Sequence, residues 1–588
     1  VPATDLPLHA RHAPPVRRIE ERTPASVTET EPGVFIYDMG QNMVGWVRLQ
    51  LEAGAGEEVT LRFAEMLDAD GKLFTENLRT AEATGRYIAK GVDREIWEPS
   101  FTFFGFRYVE LTGVKQPLDD AVTGVVVHSD LDRIGHFKCS DPMLNQLYSN
   151  TLWGQKGNFL ELPTDCPQRD ERLGWTGDAQ VFAHTAHYNL RSGAFYRQWM
   201  AAVRDSFKPG KNGGIGSVAP YIGLSHGAAG WADVIAIVPW MTWLHTGDRR
   251  ILAENFSTVR DWVDLQTGEA PDGIRISKKG WGDWLAPGHA PKSAPTPYEL
   301  IATAYYGYST QLAAQMAEVL DEPAIAREYW ELWGKIKTAF NQKYVSADGR
   351  ITSDEQTAYL LALNFNLVDD AQRPAMEQHL QRAVAEKDNH LSTGFLGTPL
   401  LTSTLSAIGR TDLAYTVLQQ QTYPGWLFSV KNGATTIWER WDSWTPEIGF
   451  NPGGMNSFNH YAYGSVIGWF YDTIAGLKPL ADHPGWKEFA IAPQPGGGLT
   501  HAKASVETPH GLAACHWREL PGKLEVEVSV PPNTCAHITL PAAEADHVFS
   551  EGQPIGEIQA ISELSSSSGD VRFRLSSGDY AFTINASP

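Results

Sequence analysis

The chain has few cysteines and no long apolar run. Its four cysteines, at positions 139, 166, 515 and 535, show no C-x-x-C spacing of the kind that holds structural zinc. Cys515 and Cys535 could meet on neighbouring strands, although isolated thiols are the better interpretation. No run of about eighteen apolar residues occurs, so the sequence predicts no membrane-spanning helix. No charged-then-apolar leader is visible either, which leaves the compartment of the protein open.

Basic residues are also scarce relative to acidic ones. The 588 residues include 48 lysines and arginines against 69 aspartates and glutamates, a net charge of −21. Such a surface repels phosphate backbones and anionic lipids, so we expect no nucleic-acid partner and no membrane partner. The hydrophobic content of 42% is ordinary for a soluble globular protein. The length predicts two to four domains.

Alternating apolar residues occur near both ends of the chain. Residues 1–30 are polar and proline-rich, which predicts a linker or extended lead-in. Residues 31–137 alternate with a period of two, as do residues 478–588. Short alternating runs separated by glycine-rich turns are typical of β-sandwiches. We therefore expect one β-sandwich over 31–137 and a second over 478–588.

The middle of the chain, residues 138–477, has helical spacing. Asp141 is a candidate N-cap, and Pro323 suits the first turn of a helix. Long glycine-rich and aromatic loops separate the helical segments. Periodicity alone would permit several helical arrays. The spacing predicts helices at residues 142–158, 179–190, 192–207, 232–246, 248–266, 298–319, 323–342, 354–366, 371–384, 398–408, 411–421 and 460–475.

Residues 165–178 (Asp-Cys-Pro-Gln-Arg-Asp-Glu-Arg-Leu-Gly-Trp-Thr-Gly-Asp) are the most unusual stretch of the sequence. They combine four carboxylates, two arginines and a tryptophan with a proline and two glycines. The glycines and proline indicate an irregular loop, where functional residues concentrate. Carboxylates, guanidinium groups and an indole ring are suited to binding a neutral polyol. A structural network of ion pairs is the alternative.

Four further loops join aromatic and charged residues. They are residues 230–233 (Gly-Trp-Ala-Asp), 280–284 (Gly-Trp-Gly-Asp-Trp), 435–444 (Thr-Thr-Ile-Trp-Glu-Arg-Trp-Asp-Ser-Trp) and 456–464 (Asn-Ser-Phe-Asn-His-Tyr-Ala-Tyr-Gly). Each has a structural alternative: the tryptophans could be packing residues, the aspartate of 230–233 could sit at a helix N-terminus, and the histidine of 456–464 could be a buried core residue.

Together these loops resemble the bacterial α-L-rhamnosidases, glycoside hydrolase family 78. The resemblance runs from about residue 35 to the end and is most specific at 165–178 and 435–464. It implies a multidomain α and β protein with a central (α/α)6 barrel flanked by β-sandwich domains. One departure from the family pattern occurs at 229–233, where the sequence is Ala-Gly-Trp-Ala-Asp and the expected motif is similar to Pro-Gly-Trp-Gly-Asp.

The resemblance also implies roles for individual residues. Glu171 matches the general acid of the family and Glu439 its general base. No cofactor and no metal is implied, because a protonated and an ionised carboxyl group supply the chemistry. In an inverting glycosidase these two groups are roughly 6.5–9.5 Å apart. The implied substrate-binding residues are Asp165, Arg169, Trp175, Asp178, Trp231, Asp233, Trp281, Asp283, Trp284, Trp438, Trp444 and His460.

The resulting hypothesis is an inverting exo-acting α-L-rhamnosidase with a rhamnoside as its partner. Because L-rhamnose carries a methyl group where glucose has a hydroxymethyl, we expect tryptophans to form an apolar wall of the pocket. The alternatives are another inverting (α/α)6 glycosidase such as a glucosidase, and a catalytically silent carbohydrate-binding protein. The sequence does not determine the linkage preference or the oligomeric state.

Overall fold

A computed structural model describes residues 10–277, 280–567 and 569–585. A sheet-rich N-terminal part is followed by a helical part and a sheet-rich C-terminal part. We call residues 16–129 the N-terminal β-domain and residues 142–474 the helical region. The C-terminal β-domain comprises residues 135–139 and 477–585. No helix among the described residues is long and apolar enough to cross a membrane.

The N-terminal β-domain is built on an eight-stranded sheet, with the order β1-β10-β3-β9-β4-β7 and with β2 and β8 paired to β3. The alternating residues Val47, Leu49 and Leu61 are buried in its core, as their spacing predicts. Its strands are β1 Val16–Arg22, β2 Ser26–Glu31, β3 Val34–Leu51, β4 Glu58–Ala64, β7 Thr84–Ile88, β8 Glu95–Trp97, β9 Phe104–Thr112 and β10 Val122–Ser129, with a separate hairpin of β5 Met66–Leu67 and β6 Leu73–Phe74.

The prediction of a lead-in over residues 1–30 is wrong for two segments. Val16–Arg22 pairs antiparallel with β10, and Ser26–Glu31 pairs with the start of β3. All of β2 is exposed and β1 is only partly buried. These edge strands bury little apolar side chain and therefore lack the alternation that marked the other strands. Residues 1–9 lie outside the described part of the chain.

The helical region matches the predicted spacing closely. Met143 N donates to the Asp141 carboxylate at 2.7 Å, so Asp141 caps the first helix. Pro323 begins α7. The helices are α1 Pro142–Asn158, α2 Thr176–Asn189, α3 Gly193–Asp205, α4 Val234–Thr246, α5 Arg249–Glu269, α6 Tyr298–Val319, α7 Pro323–Tyr344, α8 Gln356–Asn364, α9 Arg373–Ala385, α10 Thr398–Ala407, α11 Thr411–Leu418 and α12 Trp426–Lys431.

The last predicted helix, 460–475, is not a regular α-helix. It consists of a 3₁₀ segment Ala462–Val466, a short α-helical segment Ile467–Trp469 and a π-helical segment Phe470–Ile474. A β-carbon on Gly464 would lie 2.7 Å from Thr151, so this segment packs closely against α1. Helix α12 was not predicted, because six residues are too few for a clear period. Two small hairpins also flank the loops of interest: β12 Phe159–Leu160 with β13 Leu162–Pro163, and β14 Trp444–Thr445 with β15 Gly449–Phe450.

The C-terminal β-domain is built on a ten-stranded sheet. Its first strand, β11, precedes the helices and pairs antiparallel with β18. The prediction that residues up to 137 belong to the N-terminal sandwich is therefore wrong for β11, since strand pairing is not visible in the alternation of one strand. The strands are β11 Gly135–Cys139, β16 Leu477–Pro479, β17 Glu488–Ile491, β18 His501–Thr508, β19 Gly511–Leu520, β20 Lys523–Leu540, β21 Val548–Ser550, β22 Gln553–Pro554, β23 Ile561–Ser567 and β24 Asp570–Asn585.

All four cysteines are free thiols. Cys515 pairs across the sheet with Val528, whereas Cys535 pairs with Ser576. The two side chains therefore do not meet on neighbouring positions, in agreement with the interpretation as isolated thiols.

Candidate functional site

The loop between β13 and α2 contains most of the motif at 165–178, and it folds back on itself. Asp165 N donates to Leu173 O at 3.0 Å, and Leu173 N donates to Asp165 Oδ1 at 2.8 Å. A β-carbon on Gly177 would lie 2.3 Å from the Trp231 ring, so this glycine makes room for the indole. The glycine thus allows a tight loop in which the charged side chains of Asp165 and Arg169 are buried.

Arg169 is the centre of the site. Its side chain is 1% exposed and contacts three carboxylates. Nη1 and Nη2 donate to Glu439 at 2.7 and 3.2 Å. The other edge of the guanidinium contacts Glu171 Oε2, through Nε at 3.1 Å and Nη2 at 2.9 Å. Asp165 Oδ2 lies 3.5 Å from Nη2. One arginine therefore joins the two glutamates that the sequence predicts as the acid and the base.

Glu439 is held in its ionised form. Burial opposes the charge of this carboxylate, but Arg169, His460 and the backbone N–H of Ser457 together lower the pKa of Glu439 to about 2. Oε2 also accepts the backbone N–H of Ser457 at 2.8 Å. From the described part of the chain, Oε1 accepts one hydrogen bond, the longer one of 3.2 Å from Arg169, so it is the oxygen with capacity for another partner.

The pKa values of Asp165 and Asp178 are raised, whereas that of Glu439 is lowered. Burial, with the nearby Glu171 carboxylate, raises the pKa of Asp165 to about 7. Burial and the negative charge of Asp165 also raise the pKa of Asp178 well above its ordinary value. Both carboxyl groups can therefore carry a proton near neutral pH and donate a hydrogen bond.

His460 faces Asp178, with 3.2 Å between Nε2 and Oδ1. Burial lowers the pKa of His460 to about 4, so its imidazole is neutral at pH 7. Two buried atoms at the site, His460 Nδ1 and Trp231 Nε1, have no hydrogen-bond partner among the described residues. Buried polar atoms are seldom left unpaired, so these two atoms are suited to a bound polar molecule.

Tryptophans form one wall of the site. Trp281 packs edge-on against Trp175 and Trp284, with ring centroids 5.0 and 5.6 Å apart, and lies 6.3 Å from Trp231. Trp175 Nε1 also donates to Glu171 Oε1 at 2.8 Å. The cavity beside this wall has a volume of about 500 Å³. Its lining residues are Arg79, Asp165, Arg169, Asp170, Glu171, Leu173, Trp175, Asp178, Ile222, Leu224, Trp231, Trp281, Trp284, Lys292, Phe395, Glu439, Met455 and His460.

A larger cleft, of about 1130 Å³, lies beside residues 207–213 and 261–277. Its buried cation, Arg275, is already paired with Glu269 at 3.2 Å and donates to Gly227 O. We place the candidate active site in the smaller cavity, because only that cavity combines an arginine-linked glutamate pair with unpaired polar atoms.

The prediction needs correction for four residues that do not line the cavity. Asp233 accepts hydrogen bonds from Trp262 and Ser309, and Asp283 accepts the backbone N–H groups of residues 394, 396 and 397. Both carboxylates fix neighbouring segments. Trp438 is buried in a small apolar cluster, and Trp444 packs against that cluster. A loop that is rich in tryptophan and aspartate places only some of its side chains toward the cavity.

The sequence interpretation missed several residues at the rim of the cavity. Arg79 comes from the N-terminal β-domain, outside the five loops that the sequence singles out. Ile222 and Leu224 belong to an irregular hairpin between α3 and α4, in which Gly216 bridges His226. Lys292 lies over the Trp281 ring at 4.2 Å. No local pattern distinguishes these residues from ordinary loop residues. Phe395 and Met455 also line the cavity.

A buried polar seam joins the N-terminal β-domain to the segments around Glu439. Glu65, between β4 and β5, accepts hydrogen bonds from Asn42, Asn77 and Phe458 N, each at 3.0 Å. Asn42 also contacts Thr436, two residues before the Trp-Glu pair at 438–439. Burial raises the pKa of Glu65 to about 7. The N-terminal β-domain therefore supports the segment that presents Glu439.

One group at the site has metal-ligand spacing. Ligand atoms of Asp165, Cys166 and Glu171 lie within 4.8 Å of one another. However, the Arg169 guanidinium already contacts both carboxylates. Burial also raises the pKa of the Cys166 thiol well above its usual value, which disfavours the thiolate that a metal requires. These residues fit a buried arginine better than a metal ion.

Three family models match the chain in succession. The bacterial α-L-rhamnosidase concanavalin-like domain matches residues 28–128, and the six-hairpin glycosidase domain of the same family matches residues 132–474. The bacterial α-L-rhamnosidase C-terminal domain matches residues 476–553.

Curated relatives and solved structures agree with these matches. An α-L-rhamnosidase from Streptomyces avermitilis is 46% identical over 536 residues, which cover 91% of this chain and 51% of the relative. One from Formosa agariphila is 41% identical, covering 93% of this chain and 59% of the relative. The crystal structure of the S. avermitilis enzyme complexed with L-rhamnose superposes with a TM-score of 0.93 at 44% identity, covering 98% of this chain and 54% of that one.

The α-L-rhamnosidase of Dictyoglumus thermophilum superposes with a TM-score of 0.92 at 34% identity, covering 98% of this chain and 64% of that one. The chain spans about half the length of the S. avermitilis relative. Because the family models cover all three parts of the fold, the chain belongs to the bacterial α-L-rhamnosidases, glycoside hydrolase family 78.

Proposed function

We propose that the protein is an inverting exo-acting α-L-rhamnosidase that releases terminal α-L-rhamnose. The observation that carries this proposal is the link from Arg169 to Glu171 and Glu439 in one cavity. Two carboxyl groups at one sugar-sized cavity are what hydrolysis of a glycosidic bond needs. The similarity to a rhamnosidase whose structure contains L-rhamnose supports the choice of sugar.

In the proposed mechanism, Glu171 protonates the glycosidic oxygen while the bond from this oxygen to the anomeric carbon breaks. Glu439 takes a proton from a water molecule, whose oxygen attacks the anomeric carbon from the opposite face. The low pKa of Glu439 keeps it ionised for this role. Its Oε1 has the free capacity to hold the water. The products are free rhamnose and the protonated leaving group, so atoms and charge balance. Glu171 Oε2 and Glu439 Oε1 both contact Arg169 Nη2, at 2.9 and 3.2 Å, so these two oxygens lie at most about 6.1 Å apart. Inversion needs roughly 6.5–9.5 Å between the carboxyl groups to admit the water, so the proposal requires Glu171 to act through its other oxygen, Oε1.

The remaining cavity residues are proposed to bind the sugar. Asp165 and Asp178 can both donate and accept hydrogen bonds to ring hydroxyls, since their pKa values are raised. His460 Nδ1 and Trp231 Nε1, which have no hydrogen-bond partner among the described residues, are proposed to contact the sugar as well. The wall of Trp175, Trp231, Trp281 and Trp284 would contact the C6 methyl group of L-rhamnose. An apolar wall discriminates a small group by only about 1–3 kcal/mol, so rejection of L-mannosides should be partial.

We also infer that the helices form an (α/α)6 barrel. Consecutive helices α4 and α5, α6 and α7, α8 and α9, and α10 and α11 pack against each other. Such sequential hairpins are the building units of this barrel. The β-domains on either side would then act as flanking domains, with breaks close to residues 138 and 478 except for β11.

Two measurements test the proposed function. Hydrolysis of 4-nitrophenyl α-L-rhamnoside should exceed that of the matching D-glucosides by far, because a D-glucoside has a different ring configuration and leaves the polar groups that bind the rhamnose hydroxyls unpaired. Proton NMR of the first-formed sugar should show β-L-rhamnose. If only a glucoside is hydrolysed, the protein is a glucosidase and not a rhamnosidase. If α-L-rhamnose forms first, the mechanism is not inverting. Binding without hydrolysis of any glycoside would indicate a carbohydrate-binding protein.

A further inference from the structure

Arg79 reaches the cavity from the N-terminal β-domain. It follows the short 3₁₀ helix Glu76–Leu78 and has φ of 57° and ψ of −113°. A residue with a side chain adopts such a conformation only under backbone strain, and such strain tends to occur at functional positions. The segment before it is anchored by Asn77, which donates to Glu65 and to Asn456 O.

The side chain of Arg79 crosses from one domain to the other. Nη1 lies 3.0 Å from Glu171 Oε2. Nε donates to Gly454 O at 2.8 Å, and Nη2 contacts Met455 Sδ at 2.7 Å. The guanidinium is therefore fixed on one side by the loop at 454–455 and directed on the other at Glu171.

The next residue strengthens this junction. The Thr80 hydroxyl donates to the carboxylate of Asp170, and Arg79 Nη1 lies 3.7 Å from the same carboxylate. Two consecutive residues of the N-terminal β-domain thus contact two consecutive carboxylates of the motif loop.

The contacts also distinguish the two oxygens of Glu171. Oε2 faces Arg79 and Arg169, whereas Oε1 accepts one hydrogen bond, from Trp175 Nε1. A proton on Oε2 would point toward two cations, so Oε1 is the oxygen that can carry the proton and present it to the substrate.

We propose that Arg79 is a positioning residue for Glu171 and that the N-terminal β-domain thereby completes the active site. This inference rests on the proposed role of Glu171 as the general acid. Because the acid meets the leaving-group oxygen, Arg79 lies on the leaving-group side of the cavity. It acts by holding Oε2, so that Oε1 is aimed at that oxygen.

The test is a leaving-group series of aryl and alkyl α-L-rhamnosides with Arg79→Gln, Arg79→Lys and a control. Arg62→Gln is the matched control, since Arg62 Nη1 forms a 3.0 Å ion pair with Glu110 in the same domain. General-acid catalysis contributes about 10²–10⁴-fold. We therefore expect Arg79→Gln to lower kcat on alkyl rhamnosides about 10–100-fold. The loss on 2,4-dinitrophenyl rhamnoside should be under about threefold, because this leaving group needs no proton.

Two further results should follow. KM should change by less than about threefold, and Arg79→Lys should recover part of the kcat, because an ammonium can still contact Oε2. In the Glu171→Gln background, Arg79→Gln should cause no further loss on the poor leaving groups, since the two residues act as a unit. Arg62→Gln should behave as the wild type.

Several outcomes would overturn the inference. Equal losses across the leaving-group series, or additive losses in the double variant, would show that Arg79 acts on the fold or the sugar. If Arg79→Gln does not fold, Arg79→Met, which keeps the length of the side chain and removes its charge, provides the same comparison, and equal losses across its series overturn the inference. A wild-type protein without rhamnosidase activity would overturn the proposed function and this inference with it. An active wild type with an unaffected Arg79→Gln variant would overturn this inference alone.

Discussion

The helical region has an aspartate–histidine contact in two places, one at the cavity and one beside the C-terminal β-domain. At the cavity, Asp178 faces His460 at 3.2 Å. Near the C-terminal β-domain, Asp472 contacts His184 at 2.9 Å, and His184 contacts His245 at 3.0 Å. Residue types alone therefore do not distinguish the two places.

The surroundings of the two histidine groups differ. His460 lines the cavity of about 500 Å³. Beside the C-terminal β-domain, the His245 ring lies 5.0 to 6.2 Å from the rings of His184, His187 and Trp486, which fill the space around it. Tyr188 also donates to Leu477 O of the C-terminal β-domain. The comparison teaches that open volume next to buried polar groups, rather than their chemistry, separates a site from a packed core.

The two β-domains also differ in what they contribute to the cavity. The N-terminal β-domain contributes Arg79 to the lining of the cavity and supports Glu439 through Glu65. The residues that line this cavity include none from the C-terminal β-domain as described over 135–139, 477–567 and 569–585. We therefore expect substitutions where the N-terminal β-domain meets the helical region to change catalysis. Substitutions where the C-terminal β-domain meets the helical region should change stability.

The largest effect should come from Glu439→Gln. Loss of the base should lower kcat by about 10²–10⁴-fold for good and poor leaving groups alike, because water must be activated in either case. Steady-state kinetics with a dinitrophenyl and an alkyl rhamnoside measure this. The exposed Glu447 provides the control, since Glu447→Gln should leave kcat unchanged. Full activity in Glu439→Gln would exclude this residue as the base.

The next effect is that of Glu171→Gln, and it should depend on the leaving group. Alkyl rhamnosides should lose about 10²–10⁴-fold in kcat, and the dinitrophenyl substrate should lose far less. Asp170 is the neighbouring competitor for the acid role, but its carboxylate accepts from Thr80 and its pKa is lowered, chiefly by that hydrogen bond. Asp170→Asn should show no such dependence. The reverse pattern would assign the acid role to Asp170.

Glu65→Gln should have an intermediate effect on catalysis. Three N–H donors face this carboxylate, and glutamine would turn an amide donor toward at least one of them. An unpaired buried donor costs about 1–3 kcal/mol, and we expect kcat to fall about 5–100-fold as the segment at 456–458 shifts.

The control for Glu65 is Glu95 in the same domain. Glu95 is also buried and accepts hydrogen bonds from Tyr87 and the backbone, but it lies outside the cavity lining. Glu95→Gln should lower the melting temperature and leave kcat unchanged. Equal kcat values in the two variants would show that the polar seam has no role in positioning Glu439.

The smallest effect on catalysis should come from His187→Gln, in the packed histidine group near the C-terminal β-domain. Burial lowers the pKa of His187 to about 3, whereas an unfolded histidine titrates near about 6.5. Below pH 6.5 the unfolded chain binds more protons at this residue, so its contribution to stability falls as the pH drops. Relative to wild type, the variant should gain about 1.4 kcal/mol in free energy of unfolding per pH unit between pH 6 and pH 4.

Denaturant unfolding at several pH values measures this gain, and kcat at pH 7 should stay within about twofold of wild type. His516→Gln, at a partly exposed position of the C-terminal β-domain, serves as the comparison. A stability difference between wild type and His187→Gln that does not vary with pH would contradict the prediction.

The loops around the cavity also show where sequence patterns lose information. Asp233 and Asp283 follow tryptophans in glycine-rich loops, as sugar-binding aspartates would, yet both fix neighbouring segments through hydrogen bonds. Arg79 and Glu65 gave no signal, because the contacts that join them to the site are distant in sequence: Arg79 meets Asp170 across more than 90 residues, and Glu65 meets Phe458 across 393 residues. Local spacing describes neighbours along one element and carries no record of such contacts.

The sequence by itself determined the order of strands and helices and the main functional loop. Helix α6 begins and ends where the spacing of Ile301, Tyr305 and Leu312 predicts, because an amphipathic period reflects burial of one helix face. The resemblance at 165–178 also led to the correct family. Tertiary structure alone decided which side chains meet: Arg169 with Glu439, Arg79 with Glu171, and β11 with β18. Those contacts follow from how the domains pack, since packing joins residues whose separation along the chain leaves no local pattern.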